Sequence, residues 1–106
     1  MISTHILDTS LGQPASAVRV QLLDGTGQLL ATALTNADGR ISDFQLPQLS
    51  TGPYALVFQT QAYFERSDRN SFFPSVAIHF FLDRLDQHYH IPLLISPFAY
   101  STYRGS

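Results

Sequence analysis

Hydrophobic and polar residues alternate with a period of two along most of this chain. Val18, Val20 and Leu22 alternate with Arg19 and Gln21, which predicts a strand with one buried face. Asp24-Gly25-Thr26-Gly27 is a turn, and Gln28 to Leu34 reads as the returning strand. Asn36-Ala37-Asp38-Gly39 forms the next turn, followed by a short strand over Arg40 to Phe44. Further strands are expected at Ile2 to Leu7, Tyr54 to Phe58, Val76 to Leu82, His88 to Ile95 and Phe98 to Tyr103. Only Gln61 to Arg66 suits a helix, beside the polar loop Ser67 to Ser71. Many short strands with turn residues between them predict an all-β sandwich or barrel. Pro92 lies inside a predicted strand and cannot donate a ladder hydrogen bond, so an edge or a bulge is expected there.

Composition narrows this picture. The 106 residues suit one domain, 1–106, with one core. Only 13% are charged and 12% are aromatic, against about 25% charged in average domains. Some of this uncharged, aromatic surface is expected to be covered in an oligomer. Net charge is −2, with 6 arginines, no lysine and no basic stripe, which argues against a nucleic-acid partner. Cysteine is absent, so disulfides, thiolate nucleophiles and Cys-ligated metals are excluded. No apolar stretch reaches the ~20 residues of a membrane span. The first residues do not read as a signal peptide, nor the last three as a peroxisomal address, so a cytoplasmic location is expected.

Candidate chemistry rests on four histidines and two arginines. His88 and His90 are two apart on a predicted strand and share a face. With a third histidine they could hold zinc, or one could be a surface group and the other hydrogen-bonded. His5 shares a face with Ser3 and Leu7, and its imidazole titrates in the range useful to a general base. Arg40, just after the Asp38-Gly39 turn, is either solvated or presents its fork to a carbonyl oxygen or anion. His79, among Ala77, Ile78, Phe80 and Phe81, reads as outward-facing and without chemistry. The end of the chain, Tyr103-Arg104-Gly105-Ser106, looks docked, the alternative being a polar stub after an edge strand.

Four segments carry a resemblance that spans essentially the whole chain. Ser3-Thr4-His5-Ile6-Leu7-Asp8 with Gly12-Gln13-Pro14-Ala15 resembles the N-terminal signature of the transthyretin-like proteins. Thr35-Asn36-Ala37-Asp38-Gly39-Arg40 is similar to their middle motif. His88-Tyr89-His90-Ile91-Pro92-Leu93-Leu94 and Tyr103-Arg104-Gly105-Ser106 resemble the hydrolase branch, which acts on 5-hydroxyisourate. The region around Tyr63-Phe64-Glu65-Arg66 fits the family's one short helix, while Ala77-Ile78-His79-Phe80 departs from its pattern.

The resemblance implies a two-sheet sandwich of about eight strands. It also implies a homotetramer, a dimer of dimers with active sites in the channel between dimers. The implied substrate is 5-hydroxyisourate, opened by hydrolysis to 2-oxo-4-hydroxy-4-carboxy-5-ureidoimidazoline without a metal or organic cofactor. Its implied catalytic set is His5, Arg40 and His90, with His5, Arg40, Tyr103, Arg104, Gly105 and Ser106 binding substrate. His90 is expected to activate water and His5 to act as its acid–base partner, the division between them staying open. Arg40 is expected to hold the oxyanion and lower the pKa of its imidazole neighbours. The carrier branch of the family has the same architecture, so a carrier binding a small aromatic ligand without turnover is the alternative. A zinc hydrolase using His5, His88 and His90 is a further one.

Overall fold

The computed structural model describes residues 1–46 and 48–106. Nine strands and one helix occur among them, in the order β1 (Ile2–Asp8), β2 (Gln13–Pro14), β3 (Arg19–Asp24), β4 (Leu29–Leu34), β5 (Arg40–Ile41), β6 (Gly52–Phe58), α1 (Thr60–Glu65), β7 (Val76–Leu82), β8 (Tyr89–Ser96) and β9 (Ala99–Thr102). They form two sheets. One has the order β2-β1-β8-β9, with β5 also paired to β1, and the other has the order β4-β3-β6-β7. All pairs are antiparallel except β1 with β8, which run parallel. Among the described residues no helix is long and apolar enough to cross a membrane.

The core lies between the sheets because the period-two pattern aims alternate side chains inward. Ile2 and Ile6 of β1 and Ile91, Leu93 and Ile95 of β8 meet Val20, Leu22, Leu56 and Phe58 of the opposite sheet in one buried cluster. Ser3, His5 and Leu7 of β1 therefore face outward, as do His90, Pro92 and Leu94 of β8. This outer face is where the candidate site is built. Thr4 points inward, fully buried, and its hydroxyl donates to the Ile91 carbonyl at 2.6 Å.

Asp8 ends β1 as a buried carboxylate. It accepts from Arg69 Nη2 at 2.8 Å, Tyr63 Oη at 2.8 Å and Ser10 Oγ at 2.7 Å. These bonds hold its pKa down at about 2 against the cost of burying it. The Arg69 guanidinium lies 5.0 Å from the Phe64 ring centre. The network thus ties the helix and the loop after it to the end of β1.

All eight expected strands are present, with three differences. A two-residue strand, β2, is added, paired to Leu7 and Asp8. The strand expected over Arg40 to Phe44 stops at Ile41, because only Thr4 and His5 pair with it and Gln45 already takes a positive φ of 55°. Pro92 is at neither an edge nor a bulge: it is buried in β8, between β1 and β9. The tolerance has a clear cause. The Pro92 carbonyl accepts from Thr102 Oγ1 at 2.7 Å, so its missing N–H is on the β9 side. The β8–β9 ladder stops one residue away, at Leu93↔Thr102, and resumes only at the bridge His90↔Gly105. Pro92 thereby releases Tyr103 and Arg104 from the sheet, and the Gly105 N–H rejoins it by donating to the His90 carbonyl at 2.8 Å.

Candidate active site

The middle motif places Arg40. Asn36 Oδ1 accepts from the Asp38 N–H at 2.9 Å and the Arg40 N–H at 3.0 Å. Gly39 has φ +73°, and a Cβ there would lie 2.5 Å from the Ile6 carbonyl oxygen. Only glycine accepts that conformation and that approach. The turn can therefore press onto β1, where the Ile6 N–H donates to the Gly39 carbonyl at 2.8 Å. Arg40 emerges directly opposite His5 in the β1–β5 register.

The parallel β1–β8 register places the histidines. Ser3 is paired with His90, and His5 with Pro92. Ser3 is buried, and its Oγ lies 2.7 Å from both His88 Nε2 and His90 Nδ1. His90 is half-buried and His88 exposed. With Nδ1 occupied by Ser3, the Nε2 of His90 is the ring nitrogen left for chemistry. Gly105 packs against the other edge of the ring, since a Cβ there would come within 2.5 Å of His90 Cδ2.

These elements surround a pocket of about 200 Å³, lined by Ser3, Arg40, Ser42, His88, His90 and Ser106 among others. His5 flanks it on the same sheet face, between Arg40 and Pro92. Among the described residues no Asp or Glu side chain lines it. Partial burial lowers the His90 pKa, and Arg40, His88 and His5 lower it further. Burial, then Arg40, also lowers that of His5, against a smaller opposing effect from Asp38. Both imidazoles are therefore held towards the neutral form that can accept a proton.

Arg40, His90, Gly105 and Ser106 come together, with His5 alongside. Tyr103 and Arg104 do not join them within one chain. They line a second pocket of about 350 Å³ with Phe81 and Tyr89, and His90 borders both spaces. Arg104 lies 4.6 Å from the Tyr89 ring centre and donates to Gln87 Oε1 at 3.0 Å. Their displacement follows from the ladder gap at Pro92. His79 is exposed, as its position suggested. Among the described residues no three His, Asp or Glu side chains are grouped to hold a metal ion, so His5, His88 and His90 do not form a three-imidazole site within one chain. Sequence reasoning missed the part Ser3 plays. Its signal was present in the shared face of Ser3 and His5, but the Ser3–His90 pairing depends on the parallel register.

The fold and this pocket together define a transthyretin-like β-sandwich with imidazole and guanidinium groups gathered on the outer face of one sheet. The chain belongs to the HIUase/Transthyretin family, whose model matches residues 2–105. It is 40% identical over 111 residues to the 5-hydroxyisourate hydrolase of Salmonella typhimurium, covering 100% of this chain and 81% of that protein. The solved structure of Klebsiella pneumoniae 5-hydroxyisourate hydrolase superposes with a TM-score of 0.91 at 46% identity, covering 99% of this chain and 98% of that one. Transthyretin from Sparus aurata also superposes with a TM-score of 0.91, at 29% identity and over 98% of this chain and 95% of that one.

Proposed function

We propose that this protein is a 5-hydroxyisourate hydrolase of urate degradation, producing 2-oxo-4-hydroxy-4-carboxy-5-ureidoimidazoline. Fold cannot separate hydrolase from carrier, since both kinds of relative share it. The observation that carries the reading is the union of Arg40, His90 and Ser106, from three distant segments, around one pocket without acidic side chains. A carrier of aromatic ligands has little use for desolvated imidazoles beside a guanidinium. A hydrolase that activates water near neutral pH needs both.

In the reaction, water adds to a ring carbonyl carbon while His90 Nε2 takes its proton. The Arg40 guanidinium stabilises the oxyanion as charge develops. The ring C–N bond then breaks, and an imidazolium returns a proton to the departing nitrogen. That imidazolium is His90, charged in the first step; His5, beside Arg40, is its neutral acid–base partner, and Ser106 orients the water or the ring. These steps use side chains of this chain alone. Tyr103 and Arg104 bind substrate across a homotetramer channel, a dimer of dimers in which a second copy completes the pocket. Supporting this, Phe81, Phe98 and Tyr103 leave much of their rings exposed in one chain.

Turnover in water enriched in oxygen-18 tests the reading. One labelled oxygen is expected in the carboxylate of the product, and the amount of labelled product should exceed that formed without protein. Recovery of unchanged 5-hydroxyisourate as a bound ligand would support the carrier instead.

A further inference from the structure

His88 has no part in the chemistry above, yet it shares a hydrogen-bond partner with His90. Ser3 Oγ lies 2.7 Å from His88 Nε2 and 2.7 Å from His90 Nδ1. A hydroxyl has one proton to give, so at least one of the two rings must donate to it. Three arrangements satisfy that condition. In the first, His90 Nδ1–H donates to Ser3 and Ser3 donates to His88 Nε2. In the second, the chain runs the other way, with His88 Nε2–H donating to Ser3 and Ser3 donating to His90 Nδ1. In the third, both rings donate, and the Ser3 proton is left without either imidazole as acceptor at a residue only 4% exposed.

The arrangements differ at the other nitrogen of His90. In the first, a neutral His90 has a bare Nε2, which is a base. In the second it carries its proton on Nε2, which is a donor. We infer that Ser3 and His88 are positioning residues that set the tautomer of His90, with neutral His88 accepting from Ser3 and leaving His90 Nε2 free to take a proton from water. This inference rests on the hydrolase reading of the pocket. It also gives His88 a second property. A protonated His88 has no acceptor nitrogen, so it reverses the chain or strands the Ser3 proton. Where the chain reverses, protonation of the exposed His88 turns the Nε2 of the half-buried His90 from base to donor.

The surroundings suit a relay governed by His88. The groups acting on His90 are Arg40 from β5, His88, and His5 from β1, with Asp38 beyond His5, and Arg40 and Ser106 line the same pocket as His88. On the side of the second pocket, His90 is bordered by Arg104 and Asp83. Among the described residues no Asp or Glu side chain lines the pocket that holds both rings, so no acidic side chain there competes with Ser3 for the His90 Nδ1 proton. The β1–β8 register pairs Ser3 with His90 directly, so the link depends on sheet backbone rather than on a loop.

Long-range proton–nitrogen NMR on the nitrogen-15-labelled full chain tests the tautomers without any substrate. At pH 8 the wild type is expected to show His90 protonated at Nδ1 and unprotonated at Nε2, and His88 unprotonated at Nε2. Ser3→Ala is expected to give His90 a mixture of tautomers and to lower kcat on the order of tenfold, with KM unchanged because Ser3 acts through His90. His88→Gln keeps an acceptor for Ser3 but cannot titrate. It is expected to keep kcat within a few-fold of wild type at pH 8, while the acid limb of its pH profile loses one proton of steepness. A wild-type His90 protonated mainly at Nε2, or a tautomer unchanged in Ser3→Ala, overturns the inference. So does a His88→Gln profile that overlays the wild type. Failure of the wild type to hydrolyse 5-hydroxyisourate would instead refute the hydrolase reading, and the NMR result would still decide the relay.

Discussion

Replacing Gly105 with alanine adds a single methyl group at the point where the tail meets His90. The backbone φ at Gly105 is not positive, so alanine brings no conformational strain of its own. The clash is one of space. The new Cβ would lie 2.5 Å from His90 Cδ2, 3.2 Å from its Cγ and 3.2 Å from Pro92 Cγ. Carbon atoms pack at about 3.5–4.0 Å, so tail and ring must separate by about 1 Å. If the ring yields, its Nδ1 bond to Ser3 is lost. If the tail yields, the Gly105 N–H leaves the His90 carbonyl and Ser106 leaves the pocket. Either movement sacrifices about one hydrogen bond, a stability cost of about 1 kcal/mol. The catalytic cost is larger, because a misplacement of about 1 Å can lower turnover about a hundredfold. Gly105→Ala is therefore expected to unfold in urea with a midpoint close to wild type while losing about two orders of magnitude in kcat/KM. Equal loss of stability and activity would make Gly105 a fold residue. Wild-type activity would refute the close packing of tail on ring.

Other perturbations separate the roles further. His90→Asn and His5→Asn should each lower kcat about a hundredfold or more with the fold intact by circular dichroism, while His79→Asn should match wild type. Because burial and Arg40 lower the pKa of both His5 and His90, kcat/KM should hold at pH 7 and fall only as pH drops below the ordinary imidazole value of 6.5. An acid limb centred above 6.5 would contradict that electrostatic picture. Asp8→Asn should cost about 2 kcal/mol at pH 7 in urea denaturation, the worth of a carboxyl held at about 2 instead of 3.8. Since the folded pKa is depressed, this stabilisation is present above pH 4 and is lost as pH falls towards 2, so wild type and variant should converge in acid. Deleting residues 103–106 should leave a folded protein with little activity, whereas unchanged kinetics would make the tail a frayed end.

The strand β3 was legible because one buried face imposes a period of two on Val18, Val20 and Leu22, whereas β6 and β7 were legible as short apolar, β-branched and aromatic runs. The strand Gln13–Pro14 was not, because two residues cannot display a period. Pro92 misled for a physical reason: a proline is excluded from an inner strand only if its missing N–H is needed, and here the neighbouring strand is locally unpaired. The same gap explains the tail. Tyr103 and Arg104 read as site residues by their motif, yet leaving the ladder turns them to a separate pocket in one chain. Arg40 and His90 were readable from motif and face. The Ser3 bridge was not, because it depends on a parallel register between residues 87 positions apart.

The most direct test of the central claim is the absorbance of freshly made 5-hydroxyisourate at pH 7.5, followed with and without the protein. The account predicts a decay faster than the spontaneous one, with a rate proportional to protein concentration and nearly abolished by His90→Asn. Decay at the buffer rate with the folded wild-type protein would contradict it.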